Sequence, residues 1–427
     1  MKFLRIAGLA GAIGAVALSP AVHAQSLAGA VGPSATDTEV HAQGARVPVK
    51  RDKTRKVDVT VGALVTYDTN VTRSSDTVAA QNNLKPEDVF FAPVVVADVS
   101  LPFGPADAYL NGSASYLIYG RNSRLNGEHL AGNGGVSSQF GKCLASIDGS
   151  LSRQRTNVVD LAAQSVGVRN FETISSIGVT GGCGATVGLQ PFAQFNYSRG
   201  TNTNERRKGS DYRTLTYGAG VSYVQPSIGE IGIIGSIQDT DYTERDGSIG
   251  TILSGVRSFP TRSIGAYYTR DVTRFFTARV RVNYTDVATR NGSSYEGITG
   301  EASVKVSPTP RFSVTASAYR MVMPSLTFSI DYSVETGAGL SANFNLTRKL
   351  TAILGYAYVH QRYTSTATNL LYPLGWDDDH LVNGELNYAL NRRIVLTLGA
   401  AYETRHANSS YYDFDSFRLI GGLRGAF

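Results

Sequence analysis

From Val57 to Phe427 apolar and polar side chains alternate in stretches of about ten residues, and after residue 24 no run approaches eighteen continuous apolar residues. A period of two sends successive side chains to opposite faces of a strand, so each stretch presents one apolar and one polar face. Such a chain either buries its apolar faces in a soluble sandwich or turns one of them to lipid in a closed barrel. The strand cores read from the alternation are 58–67, 88–101, 108–119, 128–140, 143–153, 170–180, 186–198, 211–224, 230–241, 256–269, 275–286, 295–306, 312–320, 328–346, 351–361, 379–390, 394–404 and 412–427. Their connections favour the barrel. Gly104-Pro105-Ala106-Asp107, Gly141-Lys142, Ser307-Pro308-Thr309-Pro310, Thr347-Arg348-Lys349 and Asn391-Arg392-Arg393 are tight, whereas Asp68 to Glu87, Gly200 to Ser210, Tyr242 to Gly255 and Tyr363 to Asp378 are long. A sandwich gives no reason for that short-long rhythm, while periplasmic turns and extracellular loops do. The expectation is an all-β, transmembrane antiparallel up-and-down β-barrel of about 18 strands over residues 58–427.

The N-terminus supplies the route. Lys2 and Arg5 precede an apolar run from Ile6 to Leu18, and Val22-His23-Ala24 ends in a small residue suited to cleavage before Gln25. Residues 1–24 therefore read as a signal peptide, too short to stay as a membrane helix. Residues 25–57 form a flexible lead-in closing on Lys50, Arg51, Lys53, Arg55 and Lys56, a run expected simply to be solvated. Removing Lys2 and Arg5 lowers the formal charge from +6 to +4, too mild to argue for nucleic acid. The 45 glycines and 23 tyrosines suit tight strand positions and interfacial girdles.

In the last stretch Phe417, Leu419, Gly421, Leu423, Gly425 and Phe427 share one parity, and Arg418, Gly422 and Arg424 the other. This resembles the closing strand of outer-membrane barrels, and the resemblance implies that Phe427 is an assembly signal read by the barrel-assembly machinery. Cys143 and Cys183 fall at two consecutive periplasmic turns of the same threading. An oxidising compartment permits a disulfide between them, no His lies beside either for a zinc site, and two unpaired thiols remain the alternative.

Where alternation is clean, the lumen face can be read. Phe276, Ala278, Val280, Val282 and Tyr284 face lipid, leaving Arg279, Arg281, Asn283 and Thr285 inward; the next strand turns Glu301, Ser303 and Lys305 inward. Thr397, Glu403, Arg418 and Arg424 join them. The expected lumen is polar, with a basic surface of Arg279, Arg281, Lys305, Arg418 and Arg424 that favours anions. A barrel of this width encloses an aqueous channel unless plugged. General porins fold a long, acidic third extracellular loop into the lumen; the corresponding connection here, Gln154 to about Gln164, is short and holds Asp160 alone.

No phosphate-cradling or dinucleotide motif follows a strand, so no cofactor is expected. A hydrolase site can be drawn at the extracellular rim from His360, His380, His406, Asp377 to Asp379 and Ser409, but sequence proximity does not supply convergent geometry.

One further resemblance is narrower. Tyr67-Asp68-Thr69-Asn70-Val71, a polar loop with Arg73, Ser74 and Ser75, an acidic restart at Asp88 and the Leu101-Pro102-Phe103-Gly104 turn resemble the putative β-barrel porin 2 family. The resemblance implies an outer-membrane protein of an exopolysaccharide gene cluster, conducting polymer across the outer membrane in contact with outer-membrane lipids and a periplasmic polysaccharide export protein. A passive solute porin is the alternative, and a rim hydrolase the third reading. The family brings no catalytic motif.

Overall fold

The computed structural model describes residues 55–156, 169–185, 187–245, 256–273, 275–289, 293–324, 330–365 and 374–427. The expected signal peptide, nearly all of the lead-in, and Asp160 lie outside those residues. The strands are β1 (Lys56–Asp68), β2 (Asp88–Phe103), β3 (Ala106–Tyr119), β4 (Gly127–Phe140), β5 (Cys143–Arg155), β6 (Phe171–Cys183), β7 (Gly188–Asn202), β8 (Tyr212–Gln225), β9 (Gly229–Tyr242), β10 (Ser258–Thr273), β11 (Phe276–Val287), β12 (Tyr295–Thr309), β13 (Phe312–Pro324), β14 (Tyr332–Asn345), β15 (Leu350–Thr364), β16 (Trp376–Ala389), β17 (Ile394–Ala407) and β18 (Phe414–Ala426). One short helix, α1 (Asp76–Gln81), lies between β1 and β2. Each strand pairs antiparallel with its neighbours in sequence, and β18 pairs with β1, so the sheet of 18 strands closes on itself. Closure removes both raw edges and satisfies the backbone within the sheet, as a hydrocarbon surrounding demands.

Every expected strand is present. Boundaries shift by up to four residues. The stretch expected from 328 starts at Tyr332, and the one expected from 379 starts at Trp376, because Asp377-Asp378-Asp379 hides the alternation that its backbone still follows. Short turns fall at the end of the barrel that carries the chain termini, long connections at the other. Gly104 and Gly141 adopt φ of +61° in two of those turns, a conformation that a Cβ would strain.

The two faces differ as the alternation requires. Val280, Val282 and Tyr284 of β11 are exposed, while Arg279, Arg281 and Asn283 are half-buried and Thr285 buried on the other side. Exposed aromatic residues gather at two levels: Tyr116, Tyr217, Tyr284 and Tyr402 toward the long-loop end, and Phe103, Phe140, Tyr388 and Phe427 toward the short-turn end. Two such girdles bound an apolar belt that fits lipid.

Inside, aromatic rings lie across glycines on the directly opposed position of the next strand. Phe192 covers Gly220, Tyr212 covers Gly200, Tyr267 covers Gly232 and Tyr319 covers Gly337. A Cβ at any of these glycines would overlap the ring. Glycine weakens a strand on its own, and the ring packed over its bare backbone offsets part of that loss.

Candidate channel lumen

Between the rings the inner wall carries cross-strand hydroxyl pairs. Ser146 and Thr180 approach to 2.7 Å, Ser150 and Ser176 to 2.6 Å, Ser236 and Ser263 to 2.7 Å, Thr214 and Thr240 to 2.9 Å. Each pair joins neighbouring strands at opposed positions. These groups can exchange hydrogen bonds with a hydroxylated solute at little net cost, because donor and acceptor are interchangeable in a hydroxyl.

All five cations assigned to the lumen lie on inward positions, with unequal freedom. Arg281 stands directly opposite Glu301, its Nη1 3.5 Å from the carboxylate. Arg418 donates to Glu403 at 3.0 Å and is buried. Arg424 is half-buried beside Asn387, with Nη2 3.4 Å from Oδ1. Lys305 is exposed, and Arg279 half-buried. Carboxylates share the wall with these cations. Asp98, Asp107, Asp148, Glu230, Glu335 and Glu385 also occupy the inward parity, on strands whose faces alternation did not separate. Most are held: Tyr267 donates to Glu230 at 2.7 Å, Ser146 to Asp148 at 2.8 Å, Gln361 to Glu335 at 2.6 Å and Asn387 to Glu385 at 2.6 Å.

The long connection after β1, expected as an extracellular loop, lies at the long-loop end and folds into the mouth. β2 is apolar on both faces; Phe90, Ala92 and Val94 point inward and, with Leu64 and Ile420 of the neighbouring strands, form an apolar patch on the inner wall. Val71, Val78, Ala79 and Leu84 of the loop cover it. Burying a Val or Leu side chain contributes about 1.5–3 kcal/mol, which is why a loop with three of them, and Ala79 beside them, docks rather than solvates. Arg73, with φ of +50°, fastens the loop across the closing seam. Its Nη1 lies 2.8 Å from Asp68 of β1 and its Nε 3.0 Å from Glu403 of β17. Burial opposes the guanidinium charge, but Glu403 and Asp68 outweigh it and raise its pKa above the ordinary value. Ser416 of β18 donates to the same Asp68 at 2.8 Å.

A second element leans inward. β12 and β13 pair only up to Gly300 and Arg320, whereas β13 and β14 stay paired to Pro324 and Tyr332. Freed from β12, this hairpin packs Val322, Tyr332 and Val334, residues of outward parity, against Phe259, Val287 and Tyr295 on the inside of β10–β12. The Tyr332 hydroxyl donates to the Ser294 carbonyl at 2.9 Å. The mouth is therefore narrowed from two sides.

The residues of the rim hydrolase reading divide between the two faces of the wall. His360, Asp378 and His380 face outward: Asp378 accepts from the Tyr358 hydroxyl at 2.7 Å and lies 2.9 Å from His360 Nδ1, and His380 Nδ1 lies 3.0 Å from the Tyr356 hydroxyl. Asp377 and Asp379 face inward, beside Arg405. Among the described residues no group of three His, Cys, Asp or Glu side chains is placed to hold a metal. The acids and histidines that suggested a site belong to opposite sides of the wall: Asp377 and Asp379 to the inner ion pairs, and His360, Asp378, His380 and His406, which stands opposite Asp378, to the outer face.

Cys143 is the first residue of β5 and Cys183 the last of β6; they are opposed in the register and joined as a disulfide at the short-turn end. Phe427 is exposed there, its N–H donating to the Val59 carbonyl at 2.9 Å.

A closed barrel with an apolar belt, two aromatic girdles and a hydroxyl-lined interior defines an outer-membrane β-barrel of the porin-like kind. Residues 269–427 match the family described as Putative beta-barrel porin 2, in agreement with the family that the first strands resemble. No curated protein matches the chain. Among solved structures it is similar to OccK2 (OpdF) of Pseudomonas aeruginosa in complex with glucuronate, at 10% identity over 87% of this chain and 98% of that one, with a TM-score of 0.44. It is also similar to the FrpB iron transporter of Neisseria meningitidis, at 12% identity over 83% of this chain and 62% of that one, with a TM-score of 0.44. OccAB3 of Acinetobacter baumannii gives 9% identity over 87% and 99%, with a TM-score of 0.42.

Proposed function

We propose that the barrel exports an exopolysaccharide across the outer membrane. The observation that carries this reading is the hydroxyl-paired inner wall: a sugar chain presents hydroxyls at every residue, and Ser–Thr pairs can pass hydrogen bonds along it without a tight site. The family resemblance supports the same cargo. The polysaccharide is the transported ligand, a periplasmic export protein the partner at the short-turn end, and the barrel-assembly machinery the reader of Phe427. A passive solute porin is favoured instead by the family description itself, which speaks of a porin. Deleting the chain separates the two. Export predicts loss of surface polymer with normal uptake of small solutes, restored by the intact chain. Unchanged surface polymer with impaired small-solute uptake would leave the passive porin.

A further inference from the structure

The short-turn end is electrostatically one-sided. Three consecutive turns, after β12, β14 and β16, carry Arg311, Arg348, Lys349, Arg392 and Arg393, all exposed. None of the five makes an ion pair with a described residue. Across the mouth, the turn after β4 carries Lys142 alone, and those after β6 and β8 hold no charged residue among those described. Nor is the opposite arc a source of free negative charge. Asp58 and Asp98 share Lys56, and Asp107 is buried. Unpaired charges set the field at an aqueous mouth, so among the described residues that of this end is positive and concentrated in one sector.

Adjacent turns at one end are two strands apart, roughly 10 Å at the usual strand spacing, so the three turns span about 20 Å of rim. The positive sector also continues inside: Lys305 lies four residues above the β12 turn, exposed to the lumen, and Arg424 faces inward on β18 beside the turn of Arg392 and Arg393. A phospholipid shell surrounds a barrel evenly and has no use for cations on the inner wall. A chain threading the pore meets both.

We propose that this sector is the docking surface for the leading segment of a polyanionic polysaccharide, which enters along the β12–β18 side of the mouth. The proposal rests on the export reading above and adds the chemical class of the cargo and the place where it is captured. Rim cations raise the rate of encounter through local potential, and Lys305 and Arg424 offer the next contacts inward without a deep site in which the chain would lodge.

The test uses the full barrel in detergent and in planar bilayers, with polygalacturonate as polyanion and dextran as neutral control, comparing the natural chain with the quadruple variant Arg348→Gln, Lys349→Gln, Arg392→Gln, Arg393→Gln. These side chains are exposed in turns, and heat-modifiable migration reports whether the variant still assembles. The natural barrel should bind fluorescein-labelled polygalacturonate but not dextran, lose that binding as salt rises, and bind about tenfold or more weakly in the variant. Equal binding of dextran, or a variant that binds as well as the natural chain, would overturn the proposal. So would tighter binding of polyglutamate than of polygalacturonate at equal charge, which would point to an acidic protein, or loss of binding in phosphatidylglycerol nanodiscs, which would give the cations to lipid. Binding without ionic current would defeat the channel reading and leave the docking surface; current without binding would do the reverse.

Discussion

Arg73 shows how one side chain can hold several strands. It joins Asp68 of β1 to Glu403 of β17 and lies in a loop whose apolar residues are already buried. Removing one partner of a buried ion pair leaves the others unpaired and costs about 3–5 kcal/mol, whereas removing charge on both sides costs less. Arg73→Ala should therefore lower the urea midpoint of the detergent-solubilised barrel markedly, and Arg73→Lys, which keeps a cation between Asp68 and Glu403, should lose less. Equal midpoints for the single variant and the natural chain would show that the ion pairs are not holding the loop. The sequence did not reveal this residue. Arg73 reads as part of a polar loop; the signal that the loop is not solvated was the set Val71, Val78, Ala79 and Leu84 facing the doubly apolar run of β2, a match between segments that period-two reading does not test. Arg279, Arg281 and Lys305, by contrast, were placed on the inner face by alternation alone.

At the scale of the element, strand number, order and parity were legible because each strand alternates by itself. What covers the inner wall was not legible, since the same inward parity serves a wet hydroxyl, a ring over a glycine or a docked loop. The ring-on-glycine joints give a direct check. Gly337→Val puts branched carbons where the Tyr319 ring lies, and that ring is fixed by its hydrogen bond to Glu335. Overpacking of this kind costs about 1–3 kcal/mol, so the variant should unfold at lower urea than a Gly→Val change at Gly421, where a Cβ meets nothing within 4 Å. The β5–β6 pair offers another measurement. Thiol labelling of the unreduced, denatured protein should modify neither Cys143 nor Cys183, and Cys143→Ala with Cys183→Ala should lower stability by about 2–4 kcal/mol. Full labelling of both thiols would refute the bond.

For the whole molecule, closure and the apolar belt require insertion: the protein should migrate faster unheated than boiled on gels and show β-dominated circular dichroism in detergent. A detergent-independent soluble monomer would contradict the fold's reading as a membrane barrel. Selectivity is a second whole-molecule property. Arg281→Ser removes the charge opposite Glu301, so the reversal potential in planar bilayers should move toward cations, with assembly unchanged. An unchanged reversal potential would mean that Arg281 does not line the lumen. The arginines were legible because the strands that carry them alternate most cleanly; the inward acids of the other strands were not, because their faces do not separate by alternation.

The seam between β1 and β18 has a kinetic meaning. Every other strand pairing joins neighbours in sequence, but this one matches Thr60 to Ala426. Local hairpins lose little chain entropy in forming; the seam must bring together residues from opposite ends of the chain and can gain contacts only once the sheet between them exists. Hairpin growth and ring closure should therefore separate in time. Changes at Arg73 or Glu403 should slow the final rise of heat-modifiable protein in a refolding time course while leaving the early gain of β signal alone.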